Sequence, residues 1–363
     1  MRSIHDLETP SVLIDLDRLE ANIARMAARA KEGGVLLRPH AKTHKIPEIG
    51  WMQVRAGAVG LSLAKTSEAE VFAKHGFPDL FIAYPVVSPT KAERLVTLSR
   101  RIKLCVGVDS FEGASMLGEA AAKRGETISI SLKVDSGAHR VGVDPKDAVP
   151  EGLRIAGIKG VSLKSVFTHA GHSYHHADPR QIEQVSREEA SVVVTAAEGL
   201  RQAGVGIETV SVGSTPTARF GFGYQGITEG RPGNYVYLDR TQASLQTCSL
   251  DECAMSVLAT VVSVHGADRA VLDSGSKTLA LDQLRPKPDG YGLILGTSSR
   301  LSGLSEEHGV VRVEPGDSFK IGQRVRVLPN HACVVSNLHN RVYGVRGERV
   351  EAVFEVAARG CVD

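Results

Sequence analysis

Residues 38–45 (Arg-Pro-His-Ala-Lys-Thr-His-Lys) gather lysines and histidines directly after an apolar stretch at residues 34–37. The apolar stretch reads as a β-strand, so the basic side chains fall where that strand ends. A lysine in such a place can be a partly desolvated amine with a lowered pKa, able to form a Schiff base with a carbonyl or with pyridoxal. The same residues also fit a basic surface loop, and the rest of the chain has to decide between the two interpretations.

Two further groups of polar side chains follow predicted strands. Arg140 comes after the apolar run at residues 128–134 and can aim a fork of donors at an anion or a phenolate, although a surface ion pair is the simpler interpretation. The second group is a set of four histidines within nine residues: His169, His172, His175 and His176. Their spacing fits no closed structural zinc site, so hydrogen bonding and acid–base chemistry in a ligand pocket are at least as well supported as metal binding.

Two turns of small residues have the composition of a phosphate site. Residues 213–217 (Gly-Ser-Thr-Pro-Thr) follow a predicted strand, and residues 231–235 (Arg-Pro-Gly-Asn-Tyr) form the next turn. Both offer backbone N–H groups and side-chain donors, which together can cradle a phosphate. Barrel proteins commonly hold phosphate in the loops after their last two strands, and these are the last two such loops here.

His331 and Cys333 are a candidate metal-binding pair. If residues 329–333 continue a strand, alternation places both side chains on one face. Imidazole plus thiolate suits Zn²⁺, with Mn²⁺ and Mg²⁺ as alternatives, and two protein ligands leave positions open for water or substrate. A buried histidine beside an unrelated free cysteine is the alternative interpretation.

The elements that position these groups alternate between strand and helix from about residue 10 to residue 240. Eight apolar runs predict the strands: residues 11–15, 34–37, 58–62, 80–84, 103–108, 128–134, 160–167 and 209–212. Eight β–α units favour a closed (β/α)₈ TIM-type barrel over an open doubly wound sheet. After residue 241 the pattern becomes β-rich. The prediction is therefore a barrel at residues 10–240 and a β-rich domain at residues 241–363. Residues 1–9 are predicted to belong to the β-rich domain.

Composition excludes several classes of function. The chain has 363 residues, and its 43 basic and 41 acidic side chains give a net charge of +2, which argues against nucleic acid or an anionic membrane as partner. The N-terminus lacks the apolar core of a signal peptide, and no run reaches membrane-spanning length. Five scattered cysteines without a CxxC pair predict free thiols in a cytoplasmic protein.

Seven segments in this order resemble the fold-type III pyridoxal phosphate enzymes, the alanine racemase-like family, and within it the D-serine dehydratase and D-threonine aldolase branch. The matching segments are residues 38–45, 135–143, 169–174, 213–217, 231–235, 271–277 and 331–333. The resemblance implies that Lys42 is the Schiff-base lysine, with Lys45 as the competing candidate. It further implies that Arg140 stabilises the phenolate side of the cofactor and that Tyr174 approaches the pyridine nitrogen.

The resemblance also assigns the remaining ligands. It implies a phosphate site formed by Gly213, Ser214, Thr215, Gly233, Asn234 and Tyr235. His331 and Cys333 would hold the divalent metal. A tyrosine instead of an aspartate at the pyridine nitrogen leaves the ring a weak electron sink, which a metal on the leaving group would offset.

The implied activity is that of a lyase acting on β-hydroxy-D-amino acids such as D-serine, D-threonine or 3-hydroxy-D-aspartate. In a dehydratase the amine of Lys42 removes the α-proton, the metal assists loss of the β-hydroxyl, and a keto acid and ammonia result. In an aldolase a base deprotonates the β-hydroxyl and the Cα–Cβ bond breaks, giving glycine and an aldehyde; His169 and His172 are the leading candidates for that base. Cys333 favours the dehydratase, because aldolases of the family tend to have aspartate as the second metal ligand.

Two other classes fit less well. An amino-acid racemase of this fold would use a second acid such as Tyr291 or Tyr343, and would leave the pair of His331 and Cys333 without a role. A pyridoxal phosphate-binding homeostasis protein would lack the β-rich domain. By resemblance we expect a homodimer in which each β-rich domain covers the barrel of its partner.

Overall fold

The computed structural model describes residues 3–363, which form two domains. The strands are β1 (Ser11–Asp15), β2 (Leu36–Leu37), β3 (Leu61–Leu63), β4 (Asp79–Ile82), β5 (Lys103–Val108), β6 (Ile128–Lys133), β7 (Val161–Phe167), β8 (Thr209–Val212), β9 (Glu229–Gly230), β10 (Met255–His265), β11 (Arg269–Leu272), β12 (Gly292–Ile294), β13 (Arg300–Leu304), β14 (Gly309–Arg312), β15 (Arg324–Pro329), β16 (Arg341–Arg346) and β17 (Arg349–Glu355). The α-helices are α1 (Leu16–Glu32), α2 (Pro47–Arg55), α3 (Thr66–Lys74), α4 (Pro89–Ser99), α5 (Phe111–Ala122), α6 (Ala148–Ala156), α7 (Pro179–Gln202), α8 (Ala218–Gly221), α9 (Arg240–Ser244), α10 (Ser276–Leu279) and α11 (Ala332–Leu338). Among the described residues, no helix is both long enough and apolar enough to span a bilayer.

The first domain is a closed barrel of eight parallel strands. Strands β3 to β9 pair in sequence order, and β9 pairs with β2. Closure comes from the contact between β2 and β3, where the N–H of Val59 donates to the carbonyl of Leu37 at 2.9 Å and His40 bridges to Ser62. The predicted (β/α)₈ barrel followed by a β-rich domain is confirmed.

Two strands differ from the sequence-based assignment. Residues 11–15, predicted as the first barrel strand, lie in the second domain instead, where β1 pairs antiparallel with β10 and parallel with β16. Its place in the barrel is taken by β9, whose two residues are Glu229 and Gly230. No apolar run marks so short a strand, and a charged residue in it is tolerated only because Glu229 is paired inside the barrel.

The second domain is an antiparallel barrel with an extension. Strands β10, β11, β14, β13, β12 and β15 close on one another because β10 pairs with both β11 and β15. Strands β1, β16 and β17 continue this sheet on the other side of β10. Helix α11 follows β15 and packs against the 3₁₀ turn Ala41–Thr43 at the mouth of the first barrel. The second domain therefore reaches the loop that carries Lys42.

Helix α1 illustrates how the local sequence forms the barrel's outer layer. The side chain of Asp15 caps its N-terminus by accepting from the backbone N–H of Arg18 at 3.1 Å. Leu19, Ile23 and Met26 repeat at helical spacing and are buried. The helix thus begins directly after β1 and carries the chain from the second domain to the barrel.

The barrel interior contains an ion-paired arginine. Arg38 is 8% exposed, and its guanidinium donates to Glu229 at 2.7 Å and to Asp79 at 2.5 Å. Buried charges of this kind require their partners, because an uncompensated carboxylate in the interior loses its hydration. The three side chains join strands from opposite sides of the barrel closure.

We expect Arg38→Met to lower the free energy of unfolding by about 3–5 kcal/mol, because it leaves the buried carboxylate of Glu229 without its ion-pair partner, whereas Asp79 keeps Lys103 at 3.1 Å. Urea denaturation followed by circular dichroism measures the change. The matched control is Arg94→Met, which removes more exposed ion pairs with Glu70 and Asp363 and should cost less than about 1 kcal/mol. Equal losses in the two variants would contradict a special role for the interior pair.

Candidate active site

The C-terminal ends of the barrel strands and the facing surface of the second domain enclose a cavity of about 310 Å³. This volume lies at the lower end of the range for small-molecule sites. Eleven of the thirteen residues that the sequence predicts as site residues line this cavity. The lining includes Lys42, Arg140, His169, Tyr174, Gly213, Ser214, Thr215, Gly233, Asn234, His331 and Cys333.

Lys42 lies in the turn Ala41–Thr43, and its side chain lines the cavity. Burial is the main influence on its amine and lowers its pKa, with Arg140 acting in the same direction and Cys333 against it. The competing lysine is engaged elsewhere: Nζ of Lys45 bonds Asn337 Oδ1 at 2.9 Å and pairs with Glu68 at 3.2 Å. Lys45 does not line the cavity, whereas Lys42 does.

The two loops predicted to hold phosphate follow β8 and β9, the last two strands of the barrel. Within the described chain, the backbone N–H groups of Ser214, Thr215, Gly233 and Asn234 donate to no protein acceptor. Unpaired N–H groups facing one cavity are a ready site for an anion. This donor set fits the phosphate of pyridoxal phosphate, the cofactor that the sequence resemblance implies.

Tyr235 and His172 do not line the cavity. The N–H of Tyr235 donates to Thr215 Oγ1 at 3.1 Å, and its phenol oxygen accepts from Gln53 at 2.9 Å on the far side of the loop. The imidazole of His172 lies beside Gly137, and its buried Nδ1 has no hydrogen-bond partner. Tyr235 thus supports the phosphate loop through Thr215, on the side away from the cavity. His172 packs against the loop that carries Arg140.

His169 and Tyr174 come from the loop after β7 and both line the cavity. Nδ1 of His169 donates to the carbonyl of Gly213, so Nε2 carries the free lone pair. Burial, reinforced by Lys42, lowers the pKa of His169 well below its usual value, so the ring stays neutral. Burial also raises the pKa of Tyr174 above its usual range, which keeps its phenol protonated as a hydrogen-bond donor.

His331 and Cys333 meet in the cavity, but not by strand alternation. Strand β15 ends at Pro329, His331 is the residue before α11, and Cys333 is the second residue of that helix. The turn into the helix, rather than an extended strand, brings imidazole and thiol together. Nδ1 of His331 lies 2.7 Å from Oδ1 of Asp282, which leaves Nε2 on the side of Cys333.

The donor set of this pair fits a divalent metal. Burial raises the pKa of the Cys333 thiol, but His331, Thr43 and Lys42 outweigh it and lower the pKa, which favours the thiolate form that binds metal. A carboxylate on the outer nitrogen, as Asp282 provides, is the usual support for a metal-binding histidine. Within residues 3–363, no third histidine, cysteine or carboxylate joins the pair in a group that could hold a metal.

Two buried carboxylates hold the loops in place and carry no signal in the sequence. Glu189, in the middle of α7, accepts from the N–H groups of Ala170 and Gly213, both at 3.0 Å, and so ties the two loops together. Asp239 accepts from Asn234 at 2.6 Å and from the N–H of Ala332 at 3.0 Å, linking the phosphate loop to α11. The role of each depends on packing between distant segments.

A lysine at the end of β6 also lines the cavity. Lys133 is the last residue of β6 and lies within the apolar run at residues 128–134 that predicts this strand. A lysine near the end of an apolar run is therefore a sequence signal for this cavity residue, although the motifs around Lys42 and Arg140 do not include it.

Comparison with known proteins identifies the family. Residues 14–241 match the alanine racemase N-terminal domain, and residues 254–345 match a serine dehydratase domain. The chain therefore belongs to the alanine racemase-like family of barrel enzymes, a family that implies pyridoxal phosphate as cofactor.

Two curated relatives span nearly the whole chain. The D-threo-3-hydroxyaspartate dehydratase of Delftia sp. is 36% identical over 351 residues, covering 90% of this chain and 91% of the relative. The D-threonine aldolase of Arthrobacter sp. is 34% identical over 359 residues, covering 98% of this chain and 93% of the relative. Relatives of this chain thus include lyases of both outcomes, dehydration and retro-aldol cleavage.

The solved structure of the Delftia dehydratase superimposes with a TM-score of 0.92 at 32% identity, covering 98% of this chain and 99% of that one. Two variants of that enzyme have been solved, one with a histidine and one with a cysteine replaced by alanine, and the cysteine variant is in a metal-free form. The two exchanged positions are separated by one residue, as His331 and Cys333 are here.

Proposed function

We propose that the protein is a pyridoxal phosphate- and divalent-metal-dependent dehydratase of β-hydroxy-D-amino acids, releasing a keto acid and ammonia. The observation that carries the proposal is the proximity of Lys42 to the metal-binding pair. The thiol of Cys333 donates to Thr43 Oγ1 at 3.3 Å, and Thr43 is the chain neighbour of Lys42. An amine that can remove an α-proton and a metal that can accept a β-hydroxyl would then act on adjacent carbons of one substrate.

Three side chains and the backbone of two loops would hold the cofactor, which supplies an electron sink for the α-carbon. Lys42 would bind it through Nζ, and the unpaired N–H groups of the two phosphate loops would hold its phosphate. Arg140 would face its phenolate side and Tyr174 its pyridine nitrogen. Because the Tyr174 phenol stays protonated, it can donate a hydrogen bond to a neutral ring nitrogen.

Lys42 would transfer the α-proton, and a separate pair of side chains would hold the metal. Burial lowers the pKa of Lys42, so more of its amine is neutral and available to take the α-proton. His331 and Cys333 would hold the metal, a Lewis acid that assists departure of the β-hydroxyl. Zn²⁺ suits imidazole plus thiolate best, with Mn²⁺ and Mg²⁺ as alternatives. Asp282 fixes the ring of His331 through Nδ1.

Retro-aldol cleavage is the second candidate, and a specific observation supports it. His169 lines the cavity with a neutral ring and a free Nε2, so it can accept a proton from a β-hydroxyl. His172 lies outside the cavity lining and is the weaker candidate for that role. Cys333, rather than an aspartate, favours dehydration. A cytoplasmic homodimer remains part of the proposal by resemblance to the family.

Product analysis tests the proposal directly. The holoenzyme is incubated with D-serine, D-threonine and D-threo-3-hydroxyaspartate, and ammonia, keto acids, glycine and aldehydes are quantified by chromatography. We expect ammonia and a keto acid in equal amounts. Glycine with an aldehyde would establish the aldolase instead, and equal turnover of the L-isomers would refute the stereochemistry.

Lys42→Ala should abolish the visible absorbance of the lysine-bound cofactor, because Lys42 would carry the Schiff base and the competing Lys45 does not line the cavity. Lys45→Met is the matched control, since Lys45 is held by Asn337 and Glu68 away from the cavity. Absorption spectra of the two purified variants decide the assignment. Loss of absorbance in the control, with retention in Lys42→Ala, would move the role to Lys45.

Cys333→Ala should lower the bound metal and reduce kcat at least about 100-fold, because Lewis-acid assistance contributes several kcal/mol to such a step. The visible absorbance of the cofactor should remain. Metal content is measured by mass spectrometry beside Cys361→Ala, a partly exposed cysteine outside the cavity. Full activity of Cys333→Ala without metal, or in the presence of a chelator, would eliminate the metal's role.

A further inference from the structure

Lys133 is a buried cation without a protein partner. Its side chain belongs to a residue that is 5% exposed, yet it lines the cavity. Within residues 3–363 no hydrogen bond or ion pair engages its ammonium group, and Nζ lies over the ring of Phe167, 5.6 Å from the ring centroid. Buried lysines are almost always paired, so an unpaired one facing a cavity indicates a ligand that completes its interactions.

The surroundings of Lys133 favour an anion. Burial lowers the pKa of Lys133 to about 8, and the neighbouring cations Arg140 and Arg231 act in the same direction. Asp109 opposes them, but its carboxylate already accepts from the N–H of Gly142 at 3.1 Å. A carboxylate entering this part of the cavity would meet several positive charges and would restore the charged form of the lysine.

The other cations of the cavity have partners or assigned roles. Arg231 donates to Ser211 and to the carbonyl of Thr168, and Arg285 donates to His175 at 3.0 Å. In the proposed function, backbone N–H groups hold the cofactor's phosphate and Arg140 faces its phenolate side. Every amino acid substrate also brings an α-carboxylate, which needs a donor of its own. Lys133 is the cation that remains.

We propose that Lys133 binds the α-carboxylate of the substrate. It thereby selects free amino acids over amines and orients the α-carbon toward Lys42. This inference rests on the proposed function, because it uses the cofactor roles given there. It makes Lys133 a binding and positioning residue, with Lys42 still carrying out the proton transfer.

The test is a comparison of two ligands that differ in the carboxylate alone. D-Alanine and isopropylamine share an amine and a branched carbon, and neither has a β-hydroxyl that could leave. Their dissociation constants for the holoenzyme are measured at pH 7 from the change in the cofactor's visible spectrum. For Lys133→Met we expect a 10- to 100-fold weaker affinity for D-alanine, because one charge-assisted hydrogen bond is lost. The affinity for isopropylamine should change by less than about twofold.

Two further variants provide controls. Lys133→Arg keeps a cationic donor and should recover most of the affinity for D-alanine. Lys164→Met removes an exposed lysine on β7 that pairs with Glu208, and it should leave the affinity for both ligands unchanged. If Lys133→Met fails to fold, as judged by circular dichroism and cofactor content, Lys133→Gln replaces it in the same measurements.

Steady-state turnover adds a second readout. Lys133→Met should raise KM for D-serine and for D-threo-3-hydroxyaspartate by the same factor, about tenfold or more, with a smaller effect on kcat. An effect on the dicarboxylic substrate alone would overturn the assignment, because the lysine would then bind the second carboxylate. Equal loss of affinity for D-alanine and isopropylamine, or no loss for either, would also overturn it.

The outcomes separate this inference from the proposed function. If the wild-type enzyme turns over no β-hydroxy-D-amino acid but Lys133→Met still weakens D-alanine selectively, the proposed lyase fails and the carboxylate assignment stands. If the wild-type enzyme is an active dehydratase and the two ligands respond alike, the lyase stands and the assignment of Lys133 is wrong.

Discussion

The cavity floor depends on a line of hydrogen bonds that runs through the barrel interior. The line passes from the entrance of β4 to the loop after β7 through Asp79, Arg38, Glu229, Ser211, Arg231 and the carbonyl of Thr168. Burial lowers the pKa of Arg231 to about 10, opposed by Glu229 and Glu189, so the guanidinium stays charged near neutral pH. A positive floor is sustained because its counter-charges are buried beneath it rather than in the cavity.

This arrangement leaves the cavity's own donors free. Arg231 donates to two neutral acceptors, Ser211 and the carbonyl of Thr168, and lies over the ring of Phe167 at 5.1 Å from its centroid, so it forms part of the cavity floor. Glu189 accepts a hydrogen bond from the N–H of Gly213, whereas the N–H groups of Ser214 and Thr215, the next two residues of the loop, remain unpaired. The protein thus satisfies the groups that build the loop and leaves unsatisfied those that a ligand would use.

The barrel and the second domain contribute opposite halves of the chemistry. Lys42 and the phosphate loops come from the barrel, and His331 and Cys333 come from the turn into α11. Asp239 joins the halves, because one of its oxygens accepts from both Asn234 and Ala332. A change in how the two domains meet would therefore alter the phosphate loop and the metal pair together.

Much of this site could be predicted from sequence because strand ends in a parallel barrel meet at one place. Lys42, Arg140, His169 and the phosphate loops each follow an apolar run, and the fold alone brings them together. Glu189 and Asp239 could not be found this way, since a carboxylate inside a helix or before a short one becomes a clamp only through tertiary packing. The strand at residues 11–15 was placed in the wrong sheet because alternation and apolarity do not specify a partner.

The position of β1 between β10 and β16 makes the barrel an insertion within the other domain. The chain leaves the second sheet at Asp15 and returns at Ala254, and these two points are joined by a backbone hydrogen bond of 2.8 Å. Adjacent entry and exit points are the geometry in which one domain can be inserted into another without disturbing it. Because the barrel is held by two neighbouring connections rather than one linker, twisting of the barrel against the second domain is restricted.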